Sequence, residues 1–176
     1  MIEIIGALLR WLQLASNMIL IGGCVFLAIA VRANTVVNTP WVTRLNRALP
    51  WLSVTLLLGL VGLLATTTAQ ATGASENVWR PGAWLELLQK TRIGLIWTMR
   101  AALALLVLAV TLYIRVSRKA RWQYVLCATV AALTLAAGSL ASHSAADELS
   151  VTSVLPYTLH IVLASVWFGG LPAFQI

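Results

Sequence analysis

Two histidines, His143 and His160, are the only imidazoles in this chain, and they stand seventeen positions apart. Asp147 follows His143 by four positions, the spacing that puts two side chains on one helix face. A neutral imidazole suits copper, zinc and iron, and a neighbouring carboxylate favours a harder, oxidised cation. Two imidazoles on adjacent helices can instead ligate a haem. Arg10, Gln13 and Arg100 form a second polar set embedded in apolar sequence, with Trp97 three positions before Arg100. A guanidinium has no lone pair to give a metal, so Arg100 reads as a gate or an anchor rather than a ligand. Cys24 and Cys127 lack C-x-x-C spacing and indicate neither a disulfide nor a zinc site. As soft ligands they could accept Cu(I), with Met18 and Met99 as stepping stones above them. No Ser-His-Asp set, phosphate loop, HExxH or dinucleotide fingerprint is present, and five acidic residues leave hydrolytic chemistry little to work with. The chain reads as a binding or transport protein, not an enzyme.

The elements that must position these groups follow from composition. The chain has 176 residues, 60% hydrophobic and 10% charged, against about 45–50% apolar and about 25% charged in an ordinary soluble domain. A domain of this size cannot hide so much apolar surface from water. Soluble globular, disordered and disulfide-scaffold classes are excluded, and an all-α transmembrane bundle in contact with membrane lipids is expected. The net charge of +7 does not point to nucleic acid. Seven of the twelve basic residues, Arg32, Arg44, Arg47, Arg115, Arg118, Lys119 and Arg121, lie in or beside two short loops between apolar runs, where cytoplasmic anchors belong.

With about 20 apolar residues needed per crossing, five spans are expected, over 4–31, 49–71, 93–114, 122–141 and 156–176. Pro50 falls in the first turn of the second span, and Pro156 opens the fifth. Met1-Ile2-Glu3 lacks the basic start of a cleavable signal, so the first span is expected to be retained. The two basic loops put the N-terminus in the periplasm and the C-terminus in the cytoplasm. Pro81–Leu88 starts with a Pro-Gly turn signal and carries Trp84, Leu85, Leu87 and Leu88, the pattern of a short helix on the outer surface.

Depth then connects the polar residues. At ~1.5 Å of rise per residue, Arg10 and Gln13 lie in the outer half of span 1, with Asn17 nearer its middle. Arg100 lies about 10 Å below the outer end of span 3 by the same rise. His143 and His160 come to similar depth on the last helical hairpin, where they could share a metal or flank a flat cofactor. Plainer roles compete. His143 at a span end suits the headgroup layer, His160 could bond Thr158, and Arg10 could snorkel outwards. Arg100 could pack on Trp97, and Gln13, Ser16 and Asn17 could serve as interhelical glue.

Three stretches bring a family into view. They are Leu87 through Arg100 (LLQKTRIGLIWTMR), Gly138 through Ala145 (GSLASHSA) and Leu159 through Leu171 (LHIVLASVWFGGL). Together with the opening Leu8–Gln13 and Gly22–Phe26, they resemble the bacterial copper-resistance protein D family, CopD and PcoD among them. The resemblance covers most of the chain. It implies a multi-pass inner-membrane protein that binds copper on the periplasmic side and imports it or delivers it to a copper-dependent partner. The motifs map onto His143 and His160, with Arg100 and Trp167 as associated positions. A periplasmic CopC-like protein is the implied donor, and a larger copper-dependent membrane enzyme complex a further implied partner. The alternatives are a bis-His haem b electron-transfer protein and a metal-free accessory subunit. Members commonly have more spans than five, so this chain resembles the N-terminal part of a longer member. The first-span motif often carries His where this chain has Gln13.

Overall fold

In lipid every backbone N–H and C=O must be satisfied within the structure, which leaves long apolar segments little choice but helix. The computed structural model describes residues 2–33, 40–117, 120–140 and 151–175, and these form six α-helices and one short 3-10 turn. They are α1 (Ile2–Ala33), α2 (Pro40–Thr72), α3 (Pro81–Lys90), α4 (Arg92–Val116), α5 (Arg121–Ser139) and α6 (Val151–Gln175), with the 3-10 turn at Ser75–Trp79 between α2 and α3. No strand occurs among the described residues. The fold is all-α, as composition requires.

Helices α1, α2, α4 and α5 are long and apolar enough to cross a bilayer. The apolar stretch Leu155–Leu171 of α6 is shorter, but its whole helix has 25 residues, about 37 Å at ~1.5 Å per residue. Helix α1 is central and packs on α2, α5 and α6, while α4 packs on α2 and α5. The core between them holds Leu20, Cys24, Leu27, Leu49, Leu56, Val107, Tyr124 and Ala131, all buried. Leu58, Leu95, Leu105, Leu133 and Leu163 point outward, as lipid-facing residues do.

Two helix starts differ from expectation. Helix α2 begins at Pro40 and carries Pro50 inside it, not in its first turn. Val42, Leu45, Asn46 and Leu49 are buried while Arg44 and Arg47 are exposed. This amphipathic lead-in has a 3.6-residue period but too little net hydropathy to count as membrane. Pro40 takes the first helical position, where its missing N–H is harmless. Helix α6 likewise begins at Val151, ahead of Pro156. The short helix expected after the Pro-Gly turn is present as α3. It is tied down by Trp84 Nε1 donating to the Asn77 carbonyl at 3.1 Å and followed by Thr91, whose hydroxyl accepts from Gly94 N at 2.9 Å to cap α4.

Antiparallel packing gathers the helix ends flanking both basic loops at one end of the bundle, with Arg44, Arg47, Arg115 and Arg121 exposed there. That basic end is locked by polar side chains. The Tyr124 hydroxyl donates to Asn46 Oδ1 at 2.8 Å, and the Ser53 and Thr111 hydroxyls meet at 3.2 Å. Gln123 closes the α4–α5 turn through Ala120 N and Ser117 Oγ. Midway along α1, Gly22 meets Gly169 of α6 so closely that a Cβ on either would strike the other helix's backbone. This small-residue contact draws α6 onto α1. Thr66 and Thr68 bond back to the Leu63 and Leu64 carbonyls and carry no chemistry of their own.

Candidate functional site

The opposite end of the bundle holds the polar residues that composition alone would exclude. Arg100 sits on α4 at 7% exposure. Its Nη2 donates to Gln13 Oε1 on α1 at 3.2 Å, and its guanidinium carbon lies 5.0 Å from the Trp97 ring centroid. On the α5 side, a Cβ at Gly138 would come within 3.3 Å of the guanidinium, so a glycine there leaves the charge its room. An Arg at mid-membrane depth costs about 2.5–3.5 kcal/mol on insertion scales, and a cation–π contact returns only about 0.5–2 kcal/mol. Arg100 Nε and Gln13 Nε2 remain buried without a hydrogen-bond partner among the described residues. One turn further along α1, neither amide atom of Asn17 has one. Gln13 therefore is an interhelical link, as expected, whereas Asn17, also expected as one, makes no side-chain hydrogen bond among the described residues.

These groups surround a cavity of about 310 Å³ lined by Arg10, Gln13, Thr67, Trp97, Arg100, Gly138, Ser139, Tyr157 and Ile161, among others. Arg10 is exposed at its rim and also lines an adjoining cavity of about 410 Å³ with Glu3 and Gln70. The lining comes from five helices, which is why no single stretch of sequence announces it.

The last hairpin borders the same cavity. Ser139 Oγ and Thr158 Oγ1 meet at 2.8 Å, which sets the register of α5 against α6. Tyr157 and Ile161 of α6 line the cavity. His160 is exposed and lies on an outward stripe with Leu163, Trp167 and Leu171, so it flanks the cavity and does not enter it. His143 and Asp147 lie outside the described residues. Among the described residues, no three His, Cys, Asp or Glu side chains come together as a metal cluster.

The two cysteines belong to the other end. Cys24 on α1 and Cys127 on α5 are both fully buried, and their thiols face each other within interaction range. They are thus brought together across the α1–α5 contact from positions 103 apart in sequence. Met18 is half-buried on α1, whereas Met99 is 40% exposed on the outer face of α4. Of the two methionines, Met99 points away from any route to the pair. Gly138, Ser139 and Tyr157 went unnoticed as site residues, because small and hydroxylated residues are ordinary in membrane helices and only their assembly around the cavity beside Arg100 distinguishes them.

A copper resistance protein D-like N-terminal domain matches residues 1–151, the span that contains α1–α5 and the Gln13–Arg100 contact. The chain belongs to the copper resistance protein D-like family. Copper transport protein CutJ of Bacillus subtilis (strain 168) is 35% identical over 121 residues, which is 66% of this chain and 22% of CutJ. The chain therefore spans about a fifth of that relative's length. No solved structure matches it. His160 and Trp167 lie beyond the matched domain, while Arg10, Gln13, Arg100, His143 and Asp147 lie within it.

Proposed function

We propose that this family member handles copper at the bacterial inner membrane, binding it at the cavity end through His143 and His160, with Asp147 as an oxygen ligand. It is a carrier and not an enzyme: copper enters from the periplasm and is imported or passed to a copper-dependent partner. The basic end then faces the cytoplasm under the positive-inside rule, with the N-terminus periplasmic. A periplasmic CopC-like protein is the fitting donor, and a larger copper-dependent membrane enzyme a fitting acceptor.

The Ser139–Thr158 contact carries this reading. It clamps α5 and α6 at 2.8 Å, four positions before His143 and two before His160 in sequence, so the chain segment that carries both histidines is anchored at its two ends. Charge decides where along the hairpin copper sits. Arg10 and Arg100 make the cavity hostile to a cation, and His160 lies on the flank outside it. The His160 imidazole on that flank supplies one lone pair, and His143 a second. At the basic end, the Cys24 and Cys127 thiols supply a second, softer stop suited to Cu(I), reached without Met99.

Copper content of the purified full chain, measured beside His143→Ala and His160→Ala, tests this directly. Wild type is expected to retain copper, and each variant to lose most of it. Equal copper in all three removes the histidine site. A Soret band in the reduced protein assigns the imidazoles to haem b instead. Stoichiometric recovery with a large membrane oxidase and no metal leaves an accessory subunit.

A further inference from the structure

The cavity beside Arg100 is lined by two arginines, and its chemistry suits an anion. Its polar lining is the Arg10 and Arg100 guanidiniums, the Gln13 amide and the hydroxyls of Thr67, Ser139 and Tyr157. Two side chains that line it carry a buried atom without a hydrogen-bond partner among the described residues, Arg100 Nε and Gln13 Nε2, and both atoms are donors. The amide's acceptor, Gln13 Oε1, is already taken by Arg100. No carboxylate lines this cavity among the described residues; Glu3 lines the adjoining one, on an exposed stretch of α1. At about 310 Å³ the space far exceeds the ~10–15 Å³ that one water needs. Water could accept from both donors, but it brings no counter-charge. In a low-dielectric surrounding, a guanidinium without an opposite charge gains most from an anion.

We propose that this cavity binds a small oxyanion, a phosphate or carboxylate group, which pairs with the Arg100 guanidinium, draws the Gln13 amide toward it and meets Arg10 at the rim. Arg100 is placed for this among the described buried residues: it is charged, 7% exposed, held by Trp97 and Gln13, and its side chain lines the space. The anion is either free in solution or the phosphate of a lipid headgroup entering at the rim. The site does not depend on copper, so its test is run on copper-free protein and its failure leaves the histidine reading intact.

The experiment follows thermal unfolding of the full chain, stripped of lipid in a neutral detergent, at constant ionic strength. Inorganic phosphate is titrated in one arm and phosphatidylglycerol in the other. Phosphate also stabilises proteins by exclusion from their surface, so the arginine variants supply the reference. Wild type is expected to show a saturable rise of several degrees that is lost in Arg100→Gln. Arg10→Gln changes an exposed residue at the rim, and is expected to bind about fivefold more weakly or worse, the scale of one exposed charge pair. A response to phosphate assigns a soluble anion, and a response to phosphatidylglycerol alone assigns a headgroup. Should neither ligand shift the wild type, or should Arg10→Gln match wild type in both arms, the proposal is overturned, whether or not Arg100→Gln folds.

Discussion

At the basic end of the bundle, buried polar groups are given partners: Tyr124 bonds Asn46, Ser53 meets Thr111, and Asn46 Nδ2 reaches back to the Val42 carbonyl at 2.8 Å. At the cavity end, Arg100, Gln13 and Asn17 keep four buried polar atoms without partners among the described residues, and an open space lies beside the first two. Both clusters are buried between helices of one bundle, so burial alone does not explain the difference. A satisfied polar network fixes helix register and asks nothing of the surroundings. An unsatisfied one beside a cavity is unfavourable until something enters. The first arrangement suits a lock, and the second suits a place where a ligand comes and goes.

The largest expected effect comes from breaking the lock. Asn46→Leu leaves the Tyr124 hydroxyl, at 0% exposure, without an acceptor, which should cost about 1–3 kcal/mol of unfolding free energy. Adding Tyr124→Phe removes the stranded donor as well, and the double variant should recover most of the loss in denaturant or thermal unfolding. The same treatment at the cavity end should have the opposite sign. Replacing Gln13 and Arg100 together by Leu and Met removes a poorly compensated charge, so stability in anion-free detergent should hold or rise by about 1 kcal/mol. A loss as large as that of Asn46→Leu would make the two ends alike, and the distinction drawn between them would fail.

How much of this was legible beforehand differs between the same two ends. The helices were readable because lipid permits little else, and α3 because Pro81-Gly82 precedes closely spaced apolar residues. The start of α2 was not, since the ruler that finds membrane segments weighs net hydropathy, and Arg44 and Arg47 hid a helix face formed by Val42, Leu45 and Leu49. Arg100 could be singled out because a charge in apolar sequence demands a reason, and its stacking on Trp97 follows from i, i+3 spacing. Its pairing with Gln13 joins positions 87 apart, and the Cys24–Cys127 meeting is equally nonlocal. Spacing reports contacts along one helix but is silent about which helices pack together. The likeness of three sequence blocks to a copper family reached the family by a route that needed no packing at all, which is why the family was readable while the cavity was not.

The smallest effect calibrates the comparison from outside the membrane. Glu86 and Lys90 on α3 form an exposed i, i+4 pair at 2.7 Å, and the hydrogen bond and charge of Lys90 hold the Glu86 carboxyl below its ordinary range. A lowered carboxyl value means the folded helix favours the ionised form. The contribution is therefore present above the ordinary carboxylate midpoint, about 4.3, and fades as pH falls through the lower, folded value. Being wholly solvated, the pair should move α3 only marginally. A carboxyl titration of Glu86 by NMR should give a depressed midpoint in wild type that returns to the ordinary value in Lys90→Gln, with global unfolding unchanged. If Lys90→Gln instead destabilised the bundle as Asn46→Leu does, a solvated pair would equal a buried one. The argument that burial separates a lock from a surface contact would then lose its basis.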